Sequence, residues 1–282
     1  MRTSYTSTIV AILVVIALVG GLAYAGFRTY KRLTATPPPP PACEVSAAGQ
    51  TYDLDTDQAA IASAIAGVAA RRHLPRQALT IAYATALQES DLENLDYGDR
   101  DSVGVFQQRP SQGWGTIAQI ENPLYATTRF FEALVEVPKY TRLPIAVAAQ
   151  DVQHSADGSA YGQYDYVAAQ FAVAFTTRGG VWCWYTPTAT QHAEVTATEQ
   201  GMRATFGPLT GTTGRSAKMS FNVRGDEAWT VAGWLVTHAQ EYEISYVRYA
   251  GYEWTAGNGS MGWQPQTGQH SPGPASNSIV AG

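Results

Sequence analysis

The sequence is poor in cysteine, with two in 282 residues, and poor in charge, with 15% Asp, Glu, Lys and Arg together. Two cysteines leave room for one disulfide at most. The five histidines, His73, His154, His192, His238 and His270, are scattered without ligand spacing to one another or to the cysteines, so neither a metal site nor a cofactor motif emerges. No phosphate-cradling glycine loop precedes a helix, and Gly-x-Ser-x-Gly does not occur. Cations are few as well. The 18 Lys+Arg against 23 Asp+Glu give −5, which argues against a nucleic-acid partner neutralised along a basic face. Acidic residues are missing before Glu44, where Arg2, Arg28, Lys31 and Arg32 are the only charges. With those four set aside, fourteen cations face all 23 acidic residues, a net charge of −9 for the rest of the chain.

With 45% apolar residues, a chain of this length can bury a sizeable core, and at least two units are expected. Ile9 to Phe27 carries no charge. As a helix it would be about 28 Å long, close to a hydrocarbon core. A single-pass membrane segment over 1–33, contacting lipid through residues 9–27, is therefore expected. The rival is a signal peptide cut near Ala25, since Ala23-Tyr24-Ala25 has the small-x-small form, which would leave a secreted protein. A sparse n-region and three cations just after the cut count against it. Those cations favour a cytoplasmic C-terminal flank. The proline run of 34–43 reads instead as a spacer of about 15 Å for a tethered extracytoplasmic body. Cys43 and Cys183, if oxidised, would pin the start of that body to its later part, which again favours export.

Residues 57–73 and 75–90 have apolar side chains at helical spacing, and the second helix is apolar nearly all round, as befits a core. Asn122-Pro123 is an N-cap followed by proline at the first helical position, Pro144 opens another helix, and 165–175 completes the series. A mainly α domain is expected over 44–180, then a linker over 181–193. A small α/β domain should follow over 194–265, with a helix at 194–206, a strand through Met219, Phe221 and Val223, a helix at 228–239, and strands at 244–249 and near Trp254. The Gly/Ser/Pro-rich tail, 266–282, is expected to be disordered.

The chemically informative stretch is 86–115, ALQESDLENLDYGDRDSVGVFQQRPSQGWG. An apolar helix ends at Gln88-Glu89-Ser90, and a loop with Asp96, Asp99 and Asp101 follows before a Gly-Val-Phe-Gln turn. A carboxylate on the last turn of a buried helix meets the negative end of the dipole and partial desolvation, both of which favour the protonated form a general acid needs. The plain alternative is a solvated helix-end Glu.

Glu89-Ser90 followed by Gly104-Val105-Phe106-Gln107 resembles the lysozyme-like superfamily of lytic transglycosylases and goose-type lysozymes. There the catalytic helix ends in Glu-Ser and is followed by Gly-Leu-Met-Gln. Gly98-Asp99-Arg100 is similar to a Gly-Asp-Arg element of the goose-type enzymes. The resemblance implies a lysozyme-like fold for the helical part and peptidoglycan glycan strands as partner. Glu89 would be the acid at the β-1,4 bond between N-acetylmuramic acid and N-acetylglucosamine. Asp99 would guide water if the chain hydrolyses. Arg109 stands where a further aspartate is expected, which ranks transglycosylation above hydrolysis. The family's Ala-Tyr-Asn-Ala-Gly is replaced by Ala149-Gln150-Asp151-Val152-Gln153, without the tyrosine. Ser90, Gln107, Gln108 and Gln153 are candidate sugar contacts, as is Trp114 by stacking; Trp182, Trp184 and Tyr185 serve either stacking or core. Asp96 and Asp101 read as turn residues. The segment through Trp229, Trp234 and His238 resembles a small module of secreted actinobacterial proteins. Competing readings are a muramidase using Glu89 and Asp99, a non-catalytic wall-binding scaffold, and a transport accessory.

Overall fold

The structure, a computed structural model, describes residues 3–34, 40–154, 159–187, 192–213, 217–223, 225, 227–266 and 278–282. The chain divides into two compact units, Met1–Pro39 and Pro40–Gly282. The first holds α1 (Thr3–Thr34). Among the described residues no helix is long and apolar enough to cross a membrane. The single-pass anchor, its lipid contact through residues 9–27 and the localisation drawn from them are therefore corrected. The uncharged run is weak at its end, because Gly20, Gly21, Ala23, Ala25 and Gly26 offer little apolar surface before Arg28, Lys31 and Arg32 arrive. The proposed proline spacer lies largely outside the described residues, at 35–39.

The second unit opens with a hairpin of β1 (Ala42–Ala47) and β2 (Gln50–Leu54). Burial alternates along β1, with Cys43, Val45 and Ala47 inward. Then come α2 (Thr56–Arg71), started by a reciprocal cap between Asp55 and Gln58, and α3 (Arg76–Ser90). Every residue of α3 from Ala78 to Leu87 is buried, because α2, α7 (Asp165–Ala174), α6 (Ile145–Gln153) and α5 (Pro123–Glu136) enclose it. The Tyr83 hydroxyl donates to the Ala62 carbonyl at 2.8 Å and ties α3 to α2. A short α4 (Ile117–Ile120) precedes α5, whose Asn122 side chain caps Leu124 and Tyr125 ahead of Pro123. α7 (Asp165–Ala174) leads into β3 (Val181–Trp184), which pairs with β1 and places Cys43 opposite Cys183, joined as a disulfide.

The remaining elements are α8 (Val195–Phe206), β4 (Thr210–Thr213), β5 (Met219–Asn222), α9 (Glu227–Thr237), β6 (Tyr246–Tyr249), β7 (Tyr252–Thr255), β8 (Gln264–Pro265) and β9 (Ser278–Ala281). They build an antiparallel sheet in the order β4-β5-β9-β6-β7-β8. The expected fold class, a mainly α domain behind a membrane helix and followed by a small α/β domain, is corrected by this arrangement. Among the described residues there are nine helices and two antiparallel sheets. The C-terminal helices α8 and α9 pack on α2, where Thr237 donates to Ser63 at 2.7 Å. The stretch expected as a linker contains β3, whose carbonyls at Cys183 and Val181 accept from the indoles of Trp254 and Trp263. The tail expected to be disordered lies outside the described residues at 267–277, but its end supplies β9 between β5 and β6.

Candidate active site

A helix buried all round brings its last turn to the surface at one place. On α3, Gln88 and Glu89 are half-buried and Ser90 is buried again. Asp91 and Leu92 then take left-handed φ values of 55° and 64°, ending the helix and sending the chain into the 93–101 loop. Leu92 is fully buried and anchors that reversal.

The turn that follows is fixed against this helix end. Ser90 Oγ donates to the Val105 carbonyl at 2.7 Å, with Ala86 O at 3.2 Å as a second acceptor. Gly104 sits at φ 77°, and a Cβ there would stand 2.7 Å from the Ile120 carbonyl, so only glycine lets α4 approach. Phe106 is fully buried and stacks on Phe130 of α5 with centroids 4.5 Å apart. Burying such a ring contributes about 2–3 kcal/mol, enough to hold a short turn in place. Its neighbour Gln107, at φ 45°, donates its amide to the carbonyls of Tyr97 and Gly104, both at 3.2 Å. Gly98 makes room for that amide: a Cβ on it would come within 2.7 Å of the Ser102 carbonyl and closer still to Gln107 Oε1.

Two side chains converge on Glu89. The Tyr161 hydroxyl donates to Oε1 at 2.6 Å, and Gln153 Nε2 reaches the same oxygen at 3.3 Å. Gln153 also donates to the Phe106 carbonyl at 2.7 Å, so one amide links the C-terminal end of α6, the turn and the carboxylate. Tyr161 comes from the short 3-10 helix Ser159–Tyr164 and is 2% exposed. Beside them, Gln163 Nε2 donates to Gln88 Oε1 at 2.9 Å. The result is a half-buried carboxylate with one oxygen held by two neutral donors, an arrangement that fixes its orientation without neutralising it.

Of the residues singled out in the sequence, Glu89, Ser90 and Gln153 come together here, while the Gln107 amide on the same turn is held by Tyr97 and Gly104. Gln108 turns inward instead, 1% exposed, with its amide donating to the Ala126 carbonyl. Asp99 is on the loop surface with its side chain 93% exposed, 3.8 Å from Arg100. Asp101 accepts from Arg109 Nε at 2.8 Å and from the amide and hydroxyl of Ser111, and these bonds, Arg109 first, hold its carboxyl well below the usual range. Arg109, where an aspartate was expected, thus closes the loop. Trp114 is half-buried, lining a cavity of about 420 Å³ that reaches Arg129, Glu132 and His154, the residue after Gln153. Trp184 is half-buried and donates to Pro40 at the surface, whereas Tyr185 is buried and donates to Ile244.

Tyr161 lies outside the 149–153 stretch where the resemblance places a tyrosine: an Ala-Tyr pair occurs at Ala160-Tyr161, beyond the end of α6. No family model matches the chain, and no curated protein is significantly similar to it.

Proposed function

We propose that the chain cleaves the β-1,4 bond between N-acetylmuramic acid and N-acetylglucosamine in peptidoglycan, as a lytic transglycosylase with Glu89 as its one catalytic carboxylate. The observation that carries this reading is the double hold on Glu89 Oε1 by Tyr161 and Gln153, beside a turn that Ser90 locks to the same helix. With Oε1 engaged by two donors, the transferable proton belongs on Oε2. Glu89 gives it to the glycosidic oxygen as the bond to the anomeric carbon breaks. The substrate's own acetamido group supports the electron-poor carbon. The ionised Glu89 then takes the proton of the C6 hydroxyl, whose oxygen closes a 1,6-anhydro ring. One carboxylate serves both steps, so no second one is needed within reach. Gln107, which follows Phe106 on the turn, and Trp114, in the cavity that reaches His154, are the candidate sugar contacts.

The test is digestion of purified peptidoglycan with the wild type and with Glu89→Gln, followed by mass analysis of the products. Anhydromuropeptides from the wild type alone are expected. Reducing ends without anhydro product would replace the reading with hydrolysis and make Asp99 the residue to substitute. Binding to the wall with no product of either kind would leave a scaffold.

A further inference from the structure

The bond that orients Glu89 comes from Tyr161, on a 3-10 helix of 6 residues, Ser159–Tyr164. Hydrogen-bond geometry within a 3-10 helix is poor, so the place of the Tyr161 hydroxyl depends on what fastens that helix to its neighbours. We propose that Gln163 is a positioning residue of the site, which sets the Tyr161 hydroxyl against Glu89 by clasping Gln88; this rests on the catalytic role proposed for Glu89.

The clasp is the second of two parallel ties. Gln88 and Glu89 are consecutive on the last turn of α3, and each is bonded from the same short helix. The Tyr161 hydroxyl donates to Glu89 Oε1 at 2.6 Å, and Gln163 Nε2 donates to Gln88 Oε1 at 2.9 Å. One bond alone would leave the short helix able to swing about it, whereas two bonds side by side fix its angle as well as its distance. The Gln163 amide is held in turn, because Nε2 also donates to the Ala160 carbonyl at 3.0 Å, three residues earlier on the same helix.

The two sides of the clasp are not equally free. On α3, Ser90 locks the last turn to the Val105 carbonyl, so Gln88 is presented from a fixed support and the short helix is the part that can move. The ring of Tyr161 is buried, while Gln163 is exposed and Gln88 half-buried. Water competes for an exposed amide pair, so this bond adds little to holding the fold together. Its leverage is on the direction of the Tyr161 hydroxyl, and through it on Glu89.

The test uses the full chain, with Gln163→Leu alone and in a Tyr161→Phe background. Muropeptide release should show kcat about 3–10-fold lower in Gln163→Leu with KM unchanged, the factor expected of one neutral hydrogen bond partly open to water. Once Tyr161→Phe is present, Gln163→Leu should cost nothing further, because the bond it positions is gone. A glutamine with a merely structural role would lower kcat equally in both backgrounds. Fluorine NMR of the chain labelled with 3-fluorotyrosine gives a readout that needs no turnover, with the Tyr161 signal assigned by its loss in Tyr161→Phe. In Gln163→Leu that signal should move towards the position it takes in Glu89→Ala, where its acceptor is missing. An unmoved Tyr161 signal, or equal losses in both backgrounds, would overturn the proposal. A wild type that releases no muropeptides would instead overturn the reading of Glu89 as the acid, and the fluorine signal would still decide the clasp.

Discussion

Replacing Tyr161 by Phe removes one oxygen and tests the proposed acid. The ring is 2% exposed and would remain packed, so the change is confined to the 2.6 Å bond to Glu89 Oε1. A hydrogen bond from a neutral donor to a carboxylate is worth about 1.5–3 kcal/mol where water does not replace it. The surviving donor, Gln153 at 3.3 Å, is long and divided with the Phe106 carbonyl. Glu89 would gain rotamer freedom at the moment its Oε2 must face the glycosidic oxygen. At about 1.4 kcal/mol per factor of ten, kcat should fall by about 10–100-fold, while KM stays near its wild-type value because Tyr161 positions the acid rather than the sugar. The assay is initial-rate release of soluble muropeptides over a range of peptidoglycan concentrations, with Glu89→Gln as the inactive reference. Gln153→Leu supplies a cycle: both donors serve one oxygen, so the double variant should lose less than the product of the single losses. Undiminished kcat in Tyr161→Phe, with Glu89→Gln inactive, would refute the claim that this bond orients the carboxylate.

Cys43→Ala/Cys183→Ala opens a loop with a sequence separation of 140, for which chain entropy gives about 5 kcal/mol. A fall of about 10–20 °C in Tm is expected, and the wild type with reductant should match it. Gly98→Ala drives a methyl against the Ser102 carbonyl and the Gln107 amide. It should cost about 1–3 kcal/mol in urea unfolding and lower muropeptide release with it. His238 is held down to about 4 by burial, against an ordinary value of 6.5. Between these values the unfolded chain binds a proton that the folded one refuses. Stability is therefore full above about pH 6.5 and declines as pH falls towards 4, by at most about 3 kcal/mol for this ring. Urea midpoints measured across that window should show the decline, and His238→Gln should flatten it.

The helices were legible because their signals are local. The apolar period of 75–90, the Asn122-Pro123 pair and the faces of 165–175 and 228–239 correspond to α3, α5, α7 and α9. What the sequence hid is long-range. β1 and β3 have four to six residues each, too short for their alternation to stand out in the sequence, and the pairing of β1 with β3 joins segments far apart along the chain. β9 is four residues behind a Gly/Ser/Pro-rich stretch, yet it occupies the middle of the second sheet. The candidate site divides the same way. Glu89, Ser90 and the Gly104–Gln107 turn could be read from one contiguous segment, whereas Tyr161 reaches Glu89 across a sequence separation of 72 from a six-residue 3-10 helix, too short to show a period. The carboxylate's position is set by α3, but its orientation is set by Gln153 at the last position of α6 and by Tyr161 beyond it. A substitution that shifts the 159–164 turn while leaving α3 intact should therefore impair the chemistry without unfolding the body, and this separation distinguishes an oriented acid from a glutamate that merely ends a helix.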